Sequence, residues 1–201
     1  MGFYTRYVLP RATHFVCGHK SVADQRRKVV PRAKGQVLEI GIGSGLNLPF
    51  YDPQKVKRVW GLEPNVEMWR LADSDNTGFE VDYLEAPAES IPLEEGCVDT
   101  IVVTYTLCSV TGIADALRDM RRVLKPGGEL LFCEHGAAPQ QNVRRWQEWL
   151  NPIWGKLSGG CRLNLQIPTL LESGGFKIRS MDKGYIGGPR FSGFNYWGCA
   201  D

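Results

Sequence analysis

Gln36-Val37-Leu38-Glu39-Ile40-Gly41-Ile42-Gly43-Ser44-Gly45 opens as a strand and ends as a glycine ladder. Its first half is a short apolar run of the kind that forms a buried strand, and the glycines that follow mark a tight turn. With no Cβ, glycines let the chain turn back sharply and let a ligand come close to the backbone. A dinucleotide-binding loop needs a third glycine at position 46, where this chain has Leu46, and a phosphate-binding P-loop needs Gly-Lys-Ser/Thr, which is absent. What remains is an acid-x-Gly-x-Gly-x-Gly loop, led by Glu39, of the kind that receives a nucleoside without phosphates.

Outward from that loop, strands alternate with helices. Further strands are expected at Lys57 to Leu62, Phe79 to Leu84, Val98 to Thr104 and Glu129 to Glu134, the fourth rich in β-branched residues. Between the last two, Ile113, Leu117, Met120 and Leu124 recur at helical spacing, and Pro126-Gly127-Gly128 is expected to stop the helix. This alternation predicts an α/β fold, a doubly wound Rossmann-like sheet with right-handed crossovers. Helices are also expected over Asn142 to Trp154 and Ile167 to Ser173. Phe176 to Tyr185 and Phe191 to Ala200 then read as an antiparallel pair at the sheet edge, and Thr13 to Val30 as one helix with Phe15, Val22 and Val29 inside.

The 201 residues, 43% hydrophobic and 23% charged, suit one soluble domain over 1–201 and exclude disordered and collagen-like classes. The net charge of +2 conceals an asymmetry: residues 1–35 hold eight Lys/Arg against Asp24 alone, so the core over 36–201 is net acidic. Such a basic segment suits contact with anionic lipid, nucleic acid or an acidic substrate, or simple pairing with the acidic body. The six cysteines show no close pairing and read as reduced thiols, with Cys108 and Cys161 as small core hydrophobes and no metal site expected. No run of 18 apolar residues and no secretory h-region appears, so a cytoplasmic protein is expected, with peripheral membrane contact through the basic segment.

Glu63 ends the second strand, where an acid can accept both hydrogen bonds of a ribose diol. Thr104 and Tyr105 leave the fourth strand at the carboxyl edge, beside the first. That switch point is the crevice where open α/β sheets bind ligands.

On Val37–Gly45, Gly61–Asn65, Ala88-Glu89-Ser90, Val98–Leu107 and Leu124–Gly128, the chain resembles the class I S-adenosylmethionine-dependent methyltransferases over roughly residues 36–200. The resemblance implies a seven-stranded sheet with an antiparallel C-terminal strand, and S-adenosylmethionine as methyl donor with S-adenosylhomocysteine as product. It implies cofactor contacts at Glu39, Gly41, Gly43, Gly45, Asn47, Glu63, Pro64, Ala88, Glu89, Thr104 and Tyr105, with Glu89 reading the adenine. Leu107-Cys108-Ser109-Val110, Glu134-His135, Trp146–Trp154, Gly160-Cys161 and Leu170–Phe176 look more narrowly like the membrane-associated thiol S-methyltransferases and their bacterial relatives. That likeness implies a small thiol or sulfide as acceptor.

Methyl transfer from a sulfonium is an in-line displacement, so alignment and water exclusion matter most. A thiol ionises near pH 8.5 and needs little base catalysis, whereas a hydroxyl needs a positioned base. His135 is the expected base or polar gate. Tyr4, Tyr7, His14, Trp154 and Tyr196 are expected at an acceptor pocket. Quinone, phenol and phospholipid-like acceptors are the alternatives. A nucleic-acid methyltransferase lacks its Asn/Asp-Pro-Pro-aromatic motif at Thr104–Leu107 and a basic body, so no nucleic-acid partner is expected; a non-catalytic S-adenosylmethionine-binding module is the remaining class.

Overall fold

Parallel strands buried on both faces carry the structure, a computed structural model that describes residues 4–75 and 77–201. Seven strands, β1 (Gly35–Ile40), β2 (Val56–Leu62), β3 (Glu80–Leu84), β4 (Val98–Thr104), β5 (Leu124–His135), β6 (Ile178–Tyr185) and β7 (Phe194–Ala200), form one sheet in the order β3-β2-β1-β4-β5-β7-β6. β7 runs antiparallel between β5 and β6, as the resemblance implied. The pleat sends alternate side chains to opposite layers. Leu38, Ile40, Ile101 and Val103 enter one core with Leu117, Met120 and Leu171, while Val37, Val59, Val102 and Leu131 enter a second with Val29 and Val30.

The helices are α1 (Leu9–Cys17), α2 (Lys20–Val29), α3 (Val66–Trp69), α4 (Ile113–Val123), α5 (Gln141–Leu157) and α6 (Ile167–Ser173). α4 buries Ile113, Ala116, Leu117, Met120 and Val123 along one stripe and leaves its charged residues outside. α5 continues through Pro152, and its buried Gln147 bonds the backbone on both sides, accepting from Ala138 N and donating to Leu163 O.

Three local expectations are corrected. Thr13 to Val30 is two helices rather than one, because His19 takes an extended ψ of 145° and caps α2 by accepting from Ser21 N. Phe15 consequently faces outward, 80% exposed, while Val29 is buried as expected. Leu124 does not extend α4 but starts β5, pairing with Val98 on the far side of a register shift that absorbs Pro126-Gly127-Gly128.

What positions the site is the switch between β1 and β4. The chain runs out to β3 and returns to lay β4 beside β1, with Ile40 level with Val103. The backbone beyond these two carboxyl ends therefore has no neighbouring crossover above it.

Candidate functional site

Beyond β1 the backbone turns at Gly41 (φ +66°) and Gly43 (φ +54°). Both values lie in the left-handed region that glycine enters without steric cost. A Cβ on Gly41 would stand 2.4 Å from Thr106, so the loop and the β4 exit approach as closely as glycine allows. Gly45 (φ +72°) closes the turn by donating to Ile42 O at 3.0 Å and packs against Leu48 and Ala72.

The turn opens into a cavity of about 320 Å³, within the range of small-molecule sites. Glu39, Gly41, Gly43, Asn47, Glu63, Pro64, Thr104 and Tyr105 all line it. Glu39 is buried, accepting from Asn47 Nδ2 at 2.9 Å and from the Tyr51 hydroxyl at 2.7 Å. Burial pushes its carboxyl up to about 7 against those two hydrogen bonds and the Arg26 charge. Asn47 Nδ2 also donates to Thr104 Oγ1 at 3.0 Å, while its Oδ1 is buried with no partner among the described residues. Glu63 accepts from Asn65 N at 2.9 Å, and burial raises its carboxyl against the amides of Asn65 and Gly43. Tyr105 is held at φ +54°, a conformation costing a non-glycine residue about 1–2 kcal/mol. Its N–H donates to Cys133 O and its hydroxyl to Asn195 Oδ1 at 2.7 Å.

The amino-terminal helices form the opposite wall. Leu9, Pro10, Thr13, His14 and Cys17 of α1 and Arg26 of α2 line the cavity. His14 Nδ1 lies 2.8 Å from Ser44 Oγ in the glycine loop. Arg26, buried despite its charge, donates to Cys17 O at 2.6 Å and lies over the Tyr105 ring. In the sequence Arg26 is one of eight basic residues of 1–35, with no local feature that marks it for burial. Asn65, Met68, Thr106 and Ser109 also line the cavity without having been singled out.

Several expected residues lie elsewhere. Ala88 is in the core, and Glu89 Oε1 accepts from Gly112 N at 2.8 Å, which ties its carboxylate to the start of α4 rather than to an adenine edge. Gly45 shapes the loop without lining the cavity. Tyr196 is core, its hydroxyl donating to Ala137 O at 2.6 Å. Trp154 meets Phe191 edge-on, Tyr4 donates to Leu157 O at 2.6 Å, and Tyr7 lies beneath the Arg6 guanidinium; none of the three lines the cavity. His135 is buried at the end of β5, stacked against Tyr105, and is not among the cavity-lining residues, so the imidazole in the cavity is that of His14.

The geometry agrees with comparisons to known proteins. The methyltransferase-domain family matches residues 38–132. Human thiol S-methyltransferase TMT1B is 31% identical over 180 residues, covering 82% of this chain and 72% of its own length. Human thiol S-methyltransferase TMT1A is 35% identical over 152 residues, 73% of this chain and 62% of its own. The ubiquinone/menaquinone biosynthesis C-methyltransferase UbiE of Rubrivivax gelatinosus is 30% identical over 132 residues, 66% of this chain and 49% of its own. Among solved structures, a methyltransferase of Thermotoga maritima superposes with a TM-score of 0.67 at 21% identity, covering 98% of this chain and 96% of its own. That similarity speaks for the fold.

Proposed function

Because the chain belongs to the class I S-adenosylmethionine-dependent methyltransferases, we propose that it methylates a small thiol or sulfide in the cavity between the glycine loop and α1. The cavity fits the donor. Glu39, Glu63 and the unpartnered Asn47 Oδ1 offer acceptors to a ligand bearing an ammonium and a ribose diol, and the loop at Gly41 and Gly43 leaves room where a Cβ would intrude. In this reading Glu63 takes the ribose hydroxyls, with Pro64 beside it, and Glu39 and Asn47 face the amino-acid end. When bound, S-adenosylmethionine supplies an electrophilic methyl group on a sulfonium. The protein's part is to align the acceptor, exclude water and leave S-adenosylhomocysteine.

One observation carries the thiol reading beyond the likeness to thiol S-methyltransferases. In this reading both carboxylates of the cavity serve the donor, Glu39, held by Asn47 and Tyr51, at its amino-acid end and Glu63, held by Asn65, at its ribose, which leaves the acceptor side of the cavity without a carboxylate base. A thiol supplies its own nucleophile near neutral pH. The lip from α1, with Leu9, Pro10 and Cys17, suits an apolar acceptor. The similarity to a quinone C-methyltransferase keeps a quinol as the second reading.

Residues 1–35 serve in this account as the lid of a single methyltransferase domain over 1–201; residues 1–3 lie outside the described residues. Apolar residues are exposed both in that lid and on α5 outside it: Phe15 and Val16 of α1, and Trp146, Trp149, Ile153 and Leu157 of α5, with Tyr4, ahead of α1, donating to Leu157 O. With Arg11, Lys20 and Arg27 nearby in the chain, this surface suits an anionic lipid headgroup layer. No helix of the described residues is long and apolar enough to cross a membrane.

A competition experiment separates the two acceptor readings. The enzyme is given S-adenosylmethionine with equal amounts of a small alkyl thiol and a hydroquinone, and mass spectrometry identifies the methylated product. A methyl thioether supports the thiol reading; a methylated quinol alone overturns it.

A further inference from the structure

Behind Tyr105, three metal-ligating side chains from separate elements converge. Cys108 follows β4, His135 ends β5 and Cys161 lies in the loop after α5, and one ligand atom of each lies within 4.8 Å of the other two. Cys161 Sγ is 3.3 Å from His135 Nε2. We propose that Cys108, His135 and Cys161 bind one zinc ion, with the fourth coordination position open to the thiol acceptor.

Geometry supports the ion. Tetrahedral zinc, with bonds of ~2.3 Å to sulfur and ~2.0–2.1 Å to nitrogen, places its sulfur and nitrogen ligands about 3.6 Å apart and two sulfurs about 3.8 Å apart. Side-chain adjustments of about 1 Å or less bring the three atoms to those separations. Two thiolates and an imidazole are a donor set that selects zinc over the hard cations.

The frame around the ligands is rigid. The Arg162 backbone N–H donates to Cys108 O at 2.9 Å and its guanidinium donates to Cys108 O and Val110 O, which locks the Cys161 loop onto the Cys108 turn. Leu163 N donates to Asn151 Oδ1 at 2.8 Å and fixes the same loop to α5. The His135 ring lies against Tyr105, 6.4 Å between centroids and 18° from parallel. Protein alone leaves this imidazole under-satisfied, since it is buried, its Nε2 meets a thiol and its Nδ1 has no partner among the described residues.

The open position gives the site a purpose, and this part rests on the thiol reading above. Three protein ligands are the pattern of a catalytic rather than a structural zinc. The elements holding the ligands also wall the cavity: Ser109 follows Cys108, Ser158 and Gly159 precede Cys161, and Tyr105 covers His135. With zinc bound, a thiol completing the tetrahedron would release its proton to water and bind as thiolate. Its sulfur lone pair then forms the new bond to the methyl carbon as the sulfonium–methyl bond breaks, and that electron pair stays on the departing thioether sulfur.

The full chain is reduced, exchanged into metal-free buffer and titrated with Zn²⁺ and, separately, Co²⁺. The expected result is one Zn²⁺ per chain, lost in Cys161→Ser and in Cys108→Ser at unchanged far-ultraviolet circular dichroism. The Co²⁺ form should show a thiolate charge-transfer band that grows when a small alkyl thiol is added. Absence of stoichiometric zinc, or its retention in the Cys108→Ser/Cys161→Ser double variant, overturns the site. A cobalt spectrum indifferent to thiol overturns the open position. A zinc site that binds thiol in an enzyme that methylates none supports the metal proposal and removes the thiol-methylation reading.

Discussion

Asn47 donates its side-chain amide to the Glu39 carboxylate across 2.9 Å in a buried contact, and the same nitrogen reaches Thr104 Oγ1 at 3.0 Å. One residue after the glycine loop thus ties the ends of β1 and β4 together at the switch point. Replacing it removes a donor from a buried carboxylate, an error that costs about 1–3 kcal/mol. Asn47→Ala should lose that much stability in urea unfolding and bind S-adenosylmethionine more weakly. Unchanged unfolding would mean that the loop is held by other contacts.

Glu39 gives the protein a pH dependence of defined sign. Its carboxyl is raised to about 7 in the folded protein from an ordinary 4.5, chiefly by burial. Between those values the folded chain holds a proton that the unfolded chain has released. Stability from this group is therefore fully present below pH 4.5 and declines as pH rises through 7. Glu39→Gln, neutral throughout, should show a shallower fall in Tm between about pH 5 and pH 8 by calorimetry. An identical slope would place the titration elsewhere, with buried Glu134, also raised to about 7, as the next candidate.

Two glycines with the same backbone strain but different surroundings separate conformational cost from close approach. Gly41 (φ +66°) has Thr106 2.4 Å from where a Cβ would stand, while Gly96 (φ +60°) has nothing within 4 Å. Gly96→Ala should cost about 1 kcal/mol from the left-handed backbone alone. Gly41→Ala should cost that plus overpacking, another ~1–3 kcal/mol. Equal losses in urea unfolding would show that Thr106 moves aside freely.

Much of this was legible in the sequence. The alternation of β-branched runs and glycine turns located all seven strands, and Val98–Thr104 begins and ends where β4 does. The Glu39–Gly45 stretch and Glu63 marked the cavity because backbone strain and strand-end acids leave local signatures. Contacts between distant segments left none. Glu89 caps α4 through Gly112, a partner that only the folded β4–α4 turn brings near. Arg26 is buried because Tyr105 and Cys17 O receive it, whereas an isolated arginine reads as surface. Cys108, His135 and Cys161 meet only because the turn after β4, the end of β5 and the loop after α5 come together in the folded chain.

The exposed apolar residues of α1 and α5 are open to a test at a lipid surface. Full burial of a large apolar side chain is worth about 1.5–3 kcal/mol, or roughly ten- to a hundredfold in partitioning. Phe15→Glu with Trp149→Glu should lower co-sedimentation with phosphatidylserine vesicles by at least about tenfold, and high salt should weaken the unmodified protein's binding. Binding indifferent to both changes would remove the membrane contact and leave the lid a packing element.

The central claim is thiol methylation in the cavity walled by Glu63 and α1, and S-adenosylhomocysteine release tests it most directly. The purified chain is incubated with S-adenosylmethionine and a panel holding sulfide, small alkyl thiols, a hydroquinone and a phenol. Thiol-dependent release is expected, falling roughly ten- to a hundredfold in Glu63→Ala at limiting cofactor, the scale of a lost charged hydrogen bond of ~1.5–3 kcal/mol. Tight S-adenosylmethionine binding with no thiol-dependent release, or release indifferent to Glu63, would contradict it.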